Sequence, residues 1–309
     1  MNILKRIIEL INKEHLGTII TNKSLKSATT LGIGGIAEYW FEPFDEASLV
    51  KVVKALARYH LKYFVIGKGS NLIFSDEKFT TLFINLKHLN QIEIESDKIT
   101  ISAGTSACKA GMFLSAKGYK NFEYMALIPG SVGGIIYMNA TSFNMGVTDS
   151  LLEVTYLTPL GDIKKIILTE DVKKTFAYRK SFFTNTSNII IKAAFKKETA
   201  SCEEIISEIK HYKNKKRESQ PLEYRSVGST FRNFSEIKAW ELIDKVGLRG
   251  FRIGDAGVSL KHTNFLINYK AASFQEMISL INLVKTRVKA ETGYELLLEP
   301  SIITSQDIS

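Results

Sequence analysis

The sequence predicts a mixed α+β fold in which strands pair as hairpins and helices cover them. Short apolar segments with a two-residue period alternate with segments in which apolar residues recur at helical spacing. Strand patterns also follow one another across tight turns, as in Gln91–Ser102 and Ser150–Thr169. Such hairpins favour antiparallel sheets over a doubly wound parallel sheet.

The first half of the chain opens with a pattern typical of an amphipathic helix, residues 1–15. Glu46–His60 predicts a second helix, and Tyr63–Asp76 reads as strand, glycine turn and strand. Ala107–Gly118 predicts a short helix that ends at Gly118 as its C-cap, since glycine adopts the left-handed conformation easily.

The second half continues with an apolar strand at Ser187–Glu198 and a helix at Cys202–Glu218. Gln220-Pro221 follows this helix and indicates a domain boundary. Helical patterns then occur at Ala239–Gly247 and Ser273–Gly293. The 309 residues are enough for about two domains.

Composition indicates a protein of the cytoplasm. Hydrophobic residues make up 45% and charged residues 24%, and no apolar run reaches the ~18 residues of a membrane span. The amino-terminal pattern lacks the apolar core of a signal peptide. Cys108 and Cys202 have no metal-ligand or disulfide-framework spacing, so we expect a reducing compartment and no metal site.

The net charge of +9 is compatible with nucleic acid, a membrane surface or a small polyanionic ligand as partner. The basic residues are mostly scattered, and the dense run Lys210–Glu218 falls at a predicted helix end, where Lys and Arg are favourable. None of the usual nucleic-acid-binding signatures occurs. We therefore expect neither nucleic acid nor a membrane as partner.

Glycine-rich turns are the main chemical signal in the first half: Thr29–Ala37, Val65–Leu72 and Ile128–Gly134. Backbone N–H groups in such turns can converge on a phosphate, although each turn taken singly is equally compatible with a tight connection. Neither Rossmann nor Walker A spacing is present. Together the turns favour a diphosphate ligand with a large apolar surface, such as a dinucleotide.

Ordered motifs over roughly residues 29–300 resemble the UDP-N-acetylenolpyruvoylglucosamine reductase (MurB) family. The strings are "TTLGIGGIA", "VIGKGSNLIFSD", "IPGSVGGIIYMNA", "FAYRKSFF", "YRSVGSTFRNF" and "GLRGFRIGDAGVSLKHTNFLIN". The resemblance implies an FAD-binding fold of the vanillyl-alcohol oxidase type and a C-terminal UDP-sugar domain. It also implies that NADPH reduces non-covalent FAD, which reduces UDP-N-acetylglucosamine enolpyruvate to UDP-N-acetylmuramate for peptidoglycan.

The resemblance also implies a domain division and a subtype. Residues 1–218 would form the FAD-binding region, with subdomains at roughly 1–85 and 86–218, and residues 219–309 the substrate domain. The short connection between "YRKSFF" and "SNIII" is similar to the shorter family type, which lacks a tyrosine-bearing insertion. We expect a monomer.

Cofactor and substrate residues are carried over from the matching motifs. For FAD they are Gly34, Gly67, Lys68, Gly69, Ser70, Asn71, Leu72, Pro129, Gly130, Ser131, Gly133, Gly134, Asn139 and Ala140. For the substrate they are Tyr178, Arg232, Asn233 and Lys261.

Two catalytic residues follow from the same resemblance. Arg179 in "YRKS" matches an arginine that would hold the enolpyruvyl carboxylate and stabilise the developing enolate. Ser229 in "VGSTF" matches the proton-donating serine of the family.

The chain departs from the family at its end, where "LEPEVR" is usual and "LEPSII" stands here. Ser301 occupies the position of the third catalytic residue, a glutamate, and Ile303 that of an arginine. Glu299 could supply the carboxylate, because in a strand it would share the face of Ser301. Alternatively Ser301 orients a water, or reductase activity is lost. Phe143 also replaces a common tyrosine, and Phe234 a common proline.

Two classes of function therefore stand side by side. The first is an active FAD-dependent reductase. The alternative, motivated by Ser301 and Ile303, is a catalytically impaired homologue that binds flavin and UDP-sugar. A different flavin oxidoreductase of the same fold is a further possibility, which the substrate motifs around Ser229 and Lys261 disfavour.

Overall fold

Helices and strands alternate along residues 3–308, the part of the chain that the computed structural model describes. The helices are α1 (Ile3–Lys13), α2 (Glu46–Arg58), α3 (Ala107–Ser115), α4 (Val132–Tyr137), α5 (Glu170–Lys173), α6 (Cys202–Ser219), α7 (Ala239–Lys245), α8 (Phe274–Thr292) and α9 (Ser305–Ile308).

The strands are β1 (Gly17–Ser24), β2 (Ile36–Pro43), β3 (Tyr63–Val65), β4 (Leu72–Phe74), β5 (Lys78–Ile84), β6 (Ile92–Ile94), β7 (Lys98–Ser102), β8 (Thr141–Ser142), β9 (Met145–Gly146), β10 (Leu151–Leu157), β11 (Ile163–Ile167), β12 (Ile189–Lys196), β13 (Arg225–Ser226), β14 (Arg252–Ile253), β15 (Ala256–Val258), β16 (Leu266–Asn268) and β17 (Ser301–Ile303).

The chain divides into two compact units, each made of discontinuous segments. Unit 1 comprises Met1–Thr21, Tyr39–Lys68 and Thr81–Lys213, and unit 2 comprises Asn22–Glu38, Gly69–Thr80 and Asn214–Ser309. The predicted division into an FAD-binding region, residues 1–218, and a substrate domain, residues 219–309, stays a prediction. No helix within residues 3–308 is long and apolar enough to cross a membrane.

Unit 1 is built around an antiparallel sheet in the order β11-β10-β12-β7-β6. A second sheet has the order β1-β2-β5-β3, with β3 and β5 parallel. Helix α2 of unit 1 is capped by Asp45, whose carboxylate accepts the Ser48 N–H at 2.8 Å. That hydrogen bond lowers the pKa of Asp45, as expected for a carboxylate at a helix N-cap.

The core of unit 1 collects the apolar faces of its helices and sheets. Buried side chains of α1, α2 and α3 pack with those of β7, β10 and β12 in one cluster. Phe122 and Phe195 meet edge to face at 5.8 Å inside it, a favoured aromatic geometry. Burial of this apolar surface is the main force that fixes the glycine turns of the unit in place.

Unit 2 has its own antiparallel sheet, in the order β13-β16-β15-β14, and a separate core. Its long helix α8 starts at the Ser273/Glu276 capping box and ends at Gly293, which is left-handed with φ 78°. β4 and β17 form a parallel pair that joins residues 72–74 to residues 301–303.

The hairpins and helices predicted from periodicity are confirmed, including β6–β7, β10–β11, α6 and α8. The predicted C-cap of α3 is wrong by two residues. The C-cap is Ala116, while Gly118 takes the left-handed conformation (φ 78°) in the turn that follows. Strands β1, β2, β5, β8, β9, β13, β14, β15 and β16 were not predicted from the sequence.

Candidate functional site

Two glycine turns of unit 1 come together at the start of helix α4. Ser131 caps this helix by accepting the Gly134 N–H at 3.3 Å. The backbone of Ser131 bridges to Ser106, and Gly133 donates to the carbonyl of Ala103 at 2.9 Å. A side chain at Gly67 would clash with the Ser131 hydroxyl, so the two turns approach as closely as glycine allows.

The positively charged side chain of Lys68 lies beside the same glycine turns. Lys68, which is exposed, donates from Nζ to the Ser106 hydroxyl at 2.7 Å. Ser106 is the N-cap residue of α3, and its hydroxyl makes no capping bond to that helix. An ammonium beside glycine turns and helix starts is the arrangement that suits a diphosphate.

Buried polar side-chain atoms without a hydrogen-bond partner among residues 3–308 occur in unit 1 at Thr105 and Asn139. The hydroxyl of Thr105, which is 5% exposed, has no hydrogen-bond partner among residues 3–308. The amide oxygen of Asn139 is likewise buried and unpartnered within the described chain. Such atoms are costly unless something satisfies them, so the residues fit a polar ligand such as FAD.

The close approach at Gly67 gives a testable expectation. Gly67→Ala should weaken FAD binding about 10-fold, since its Cβ displaces the Ser131 hydroxyl and overpacking of this kind costs about 1–3 kcal/mol. The dissociation constant is measured by flavin fluorescence on apoprotein. In a Ser131→Ala background the same change should cost little, because the obstructing oxygen is gone. Equal losses in both backgrounds would contradict the proposed contact.

Arg179 lies at the tip of a two-residue turn in unit 1. Ala177 and Lys180 exchange backbone hydrogen bonds at 3.1 Å, and Arg179 between them has a left-handed backbone with φ 55°. A non-glycine residue in this region is strained, and such strain is concentrated at functional sites. Its Cζ lies 5.0 Å from the ring centre of Tyr178.

The segment after α4 holds this turn. Asn139 donates from Nδ2 to the Ala177 carbonyl at 3.0 Å, and Arg179 donates from Nη1 to the Thr141 hydroxyl at 3.2 Å. Ser181 adds a bond to the Tyr137 carbonyl at 2.8 Å. The structure thus connects the predicted cofactor residue Asn139 to the predicted catalytic residue Arg179 within unit 1.

In unit 2, the turns at Gly34 and Gly69 also depend on glycine. Gly34 and Gly69 both have positive φ, and a side chain at Gly69 would clash with the Ala28 carbonyl. Thr30 donates its backbone N–H to the Gly69 carbonyl at 3.4 Å. The Thr30 hydroxyl is buried and has no partner within residues 3–308.

Ser229 is half-buried in unit 2, directly after Gly228, which is left-handed at φ 80°. Within residues 3–308 no hydrogen bond involves its hydroxyl, whereas the next residue, Thr230, is fully buried and bonded through both backbone and side chain. Ser229 therefore precedes a residue with a fixed backbone, and its own hydroxyl makes no hydrogen bond within the described chain.

The carboxyl-terminal segment runs beside this serine. Glu299 donates its N–H to the Thr230 carbonyl at 3.0 Å, and its own carbonyl accepts from Asn71 Nδ2 at 3.1 Å. Ser301 donates to the Asn71 carbonyl at 3.0 Å. Asn71 thus holds both candidate residues of the "LEPSII" end.

The strand argument for Glu299 is wrong. Strand β17 begins at Ser301, and Glu299 lies in the bend before it, because Pro300 cannot donate a backbone N–H to a sheet. Alternation along a strand therefore does not relate the two side chains. Glu299 is half-buried and Ser301 is exposed.

The predicted substrate residues of unit 2 take part in structural contacts. Arg232 donates from Nε to the Leu298 carbonyl at 3.1 Å, and Asn233 accepts the Ala239 N–H at the start of α7 at 3.0 Å. Lys261 contacts the Arg217 carbonyl near the end of α6 through Nζ. Tyr178 of unit 1 is 50% exposed.

His262, beside Lys261, packs its ring against Phe265 at 4.9 Å and accepts the Asn264 N–H through Nδ1. Burial lowers its pKa, because an apolar environment disfavours the charged imidazolium. These contacts indicate a structural histidine.

Comparison with known proteins covers both halves of the chain. The family model "FAD binding domain" matches residues 37–166, and the model "UDP-N-acetylenolpyruvoylglucosamine reductase, C-terminal domain" matches residues 220–303. A Bacillus cereus protein, UDP-N-acetylenolpyruvoylglucosamine reductase 1, is 33% identical over 302 residues, 97% of this chain and 99% of the relative. The chain belongs to the UDP-N-acetylenolpyruvoylglucosamine reductase family.

Other members of this reductase family agree. The reductase of Magnetococcus marinus is 35% identical over 304 residues, 94% of each chain. The crystal structure of the Thermus caldophilus reductase (MurB) matches with a TM-score of 0.78 and 28% identity, covering 93% of this chain and 98% of that one. The predicted α+β fold, with an FAD-binding fold of the vanillyl-alcohol oxidase type, is confirmed. The hypothesis of an impaired homologue finds no support in these matches.

Three threonines of this reductase-family chain were not predicted as site residues: Thr30, Thr105 and Thr141. Thr105 could have been found, since Gly104-Thr105-Ser106 follows a strand and precedes a helix, a pattern typical of phosphate-binding turns. No signal in the sequence connects Thr141 to Arg179, since their contact depends on the fold.

Proposed function

We propose that this protein catalyses the NADPH-dependent reduction of UDP-N-acetylglucosamine enolpyruvate to UDP-N-acetylmuramate, with FAD as cofactor, in peptidoglycan precursor synthesis. Family membership over nearly the whole chain supports the reaction. The structural observation that carries the proposal is the segment from Ser131 to Thr141. It contains the Ser131 cap beside the glycine turns at one end and holds the Arg179 turn at the other.

FAD, when bound, would supply the hydride chemistry that links NADPH to the enolpyruvyl double bond. In unit 1 its diphosphate would be held by the backbone around Gly67 and Ser131, by Lys68 and by the hydroxyl of Thr105. Each of these groups is a donor suited to a phosphate oxygen. We propose the same FAD-binding role for the remaining residues of the glycine turns. In unit 1 these are Pro129, Gly130, Gly133, Gly134 and Ala140, and in unit 2 they are Gly34, Gly69, Ser70, Asn71 and Leu72.

Arg179 would hold the substrate carboxylate. Hydride addition to an enol ether places negative charge next to that carboxylate, and a guanidinium can neutralise it through two parallel hydrogen bonds. The Thr141 hydroxyl accepts from Nη1, and a guanidinium carries five N–H donors in a fixed planar arrangement that matches a carboxylate.

Ser229 would donate the proton that completes the reduction. A serine hydroxyl is a weak acid, so it depends on neighbouring groups to replace its proton and stabilise charge. Arg232, Asn233, Lys261 and Tyr178 would contact the UDP-sugar. For the first three, this role requires the side chain to serve both a backbone contact and the ligand.

We propose that Glu299 supplies the carboxylate that Ser301 cannot. Glu299→Gln should slow flavin reoxidation by substrate about 10- to 100-fold and leave flavin reduction by NADPH unchanged, because only the proton transfer uses the carboxylate. Anaerobic rapid mixing separates the two rates.

Glu295→Gln is the matched control, since Glu295 is an exposed carboxylate of the same segment that pairs with Lys289. An unchanged reoxidation rate in Glu299→Gln, with a slow rate in Ser301→Ala, would assign the role to Ser301 instead.

The proposed function is tested directly by the reaction of the purified protein. The protein should show the absorption spectrum of an oxidised flavin. Without oxygen it should consume more than one NADPH per flavin only when UDP-N-acetylglucosamine enolpyruvate is present. Mass spectrometry should find a product heavier by two hydrogens. Anaerobic NADPH consumption that stops at one equivalent per flavin with this substrate present, or absence of that product, would contradict the proposal.

We propose a monomer in the cytoplasm, where NADPH and the nucleotide-sugar substrate are available, and no nucleic-acid or membrane partner. Cys108 and Cys202 are both free thiols, which suits a reducing compartment.

A further inference from the structure

A short hairpin of unit 1 combines strain with a contact to the proposed carboxylate-binding arginine. Strands β8 and β9 pair Thr141 with Gly146, and the loop between them consists of Phe143 and Asn144. Both loop residues are left-handed, with φ 52° and 64°. Asparagine tolerates this conformation, but phenylalanine is disfavoured in it. Something else must therefore stabilise Phe143.

An aromatic stack opposes this strain. The ring of Phe143 lies on the ring of Tyr212 in α6, with centroids 4.2 Å apart and planes 22° from parallel. Stacked aromatic pairs contribute more than their buried area alone. The hairpin is thus docked onto an 18-residue helix that is independent of the Arg179 turn in sequence.

The docked hairpin presents Thr141 to Arg179. The Thr141 hydroxyl accepts a hydrogen bond from Arg179 Nη1 at 3.2 Å. Asn139, just before it, fixes the backbone of the same turn through the Ala177 carbonyl. The short segment from Asn139 to Thr141 therefore contacts both the backbone of the Arg179 turn and the Arg179 guanidinium.

We propose that Thr141 is a positioning residue, whose hydroxyl orients the Arg179 guanidinium toward the substrate carboxylate, and that the Phe143–Tyr212 stack holds Thr141 in place. This inference rests on the proposed function. A long arginine side chain samples many rotamers, so an acceptor that fixes one nitrogen restricts the direction in which the other donors point. Correct orientation of a charged group such as this guanidinium toward the substrate can raise the reaction rate by large factors.

The test replaces the Thr141 hydroxyl with a methyl group, which keeps the shape of the side chain. Thr141→Val should weaken substrate binding to the oxidised enzyme about 10-fold, read from the perturbation of the flavin spectrum, and slow flavin reoxidation by about the same factor. Flavin reduction by NADPH and the melting temperature should not change. Thr141→Ser should restore both substrate readouts, because it keeps the acceptor.

The stack is tested with Tyr212→Leu, which should reproduce part of the Thr141→Val defect, and Tyr212→Phe, which should not. In an Arg179→Lys background, Thr141→Val should have no further effect. Wild-type behaviour of Thr141→Val overturns the positioning role, and so does an equal loss in NADPH reduction or a lowered melting temperature. If the wild-type protein itself fails to reoxidise with substrate, the proposed function has failed instead.

Discussion

Ser229→Ala should leave flavin reduction by NADPH intact and slow flavin reoxidation by substrate about 10²- to 10⁴-fold, the usual range for loss of a general acid. The variant removes one oxygen that makes no hydrogen bond within residues 3–308, so the fold should be unaffected. Anaerobic rapid mixing gives both rates, and the melting temperature confirms folding. The effect should therefore fall entirely on the second half-reaction.

Ser226→Ala is the matched control for this variant. The Ser226 hydroxyl accepts the Gly228 N–H at 3.3 Å, so its loss should loosen the same turn without removing a proton donor. We expect a lower melting temperature and a reoxidation rate within a few-fold of wild type. Normal turnover by Ser229→Ala would show that another group delivers the proton.

Arg179→Lys should lower kcat/KM for the enolpyruvyl substrate about 10²- to 10³-fold, comparable to loss of one donor from an oxyanion site. Lysine keeps the positive charge but loses the planar fork that can bind a carboxylate through two parallel bonds. NADPH reduction should not change. Lys180→Gln removes a neighbouring exposed cation and serves as the control, for which near-normal kinetics are expected.

The backbone at Arg179 allows function to be separated from stability. Because φ is 55°, Arg179→Gly should relieve strain and raise the free energy of unfolding by about 1 kcal/mol, while substrate reduction is lost. Urea denaturation measures the first effect and rapid mixing the second. A variant that is both less stable and inactive would indicate that Arg179 has a structural role.

Local patterns were enough to predict much of the fold. Periodicity located α2, α6 and α8, because their apolar faces repeat with the helical period. It could not locate the β4–β17 pair, since the register between Leu72 and Ser301 joins residues far apart in sequence and each strand has three residues. Such short strands are specified by their partners rather than by their own composition.

The candidate site was predictable where a motif is contiguous and not where it depends on contacts. The glycine turns were recognisable in sequence, and unit 1 brings Gly67 against Ser131. The left-handed backbone of Arg179 was not recognisable, because an arginine in "AYRKS" carries no sign of a turn conformation. Glu299 lies outside β17 because Pro300, the residue between them, cannot donate a backbone N–H to a sheet.

The most direct measurement is anaerobic stopped-flow on the purified flavoprotein. The flavin is first reduced with NADPH, and UDP-N-acetylglucosamine enolpyruvate is then added while flavin absorbance is followed. We expect fast reoxidation with formation of one UDP-N-acetylmuramate per flavin, which would show that the "LEPSII" end is catalytically adequate. A flavin that stays reduced with substrate bound would contradict the reductase assignment and restore the hypothesis of an impaired binding protein.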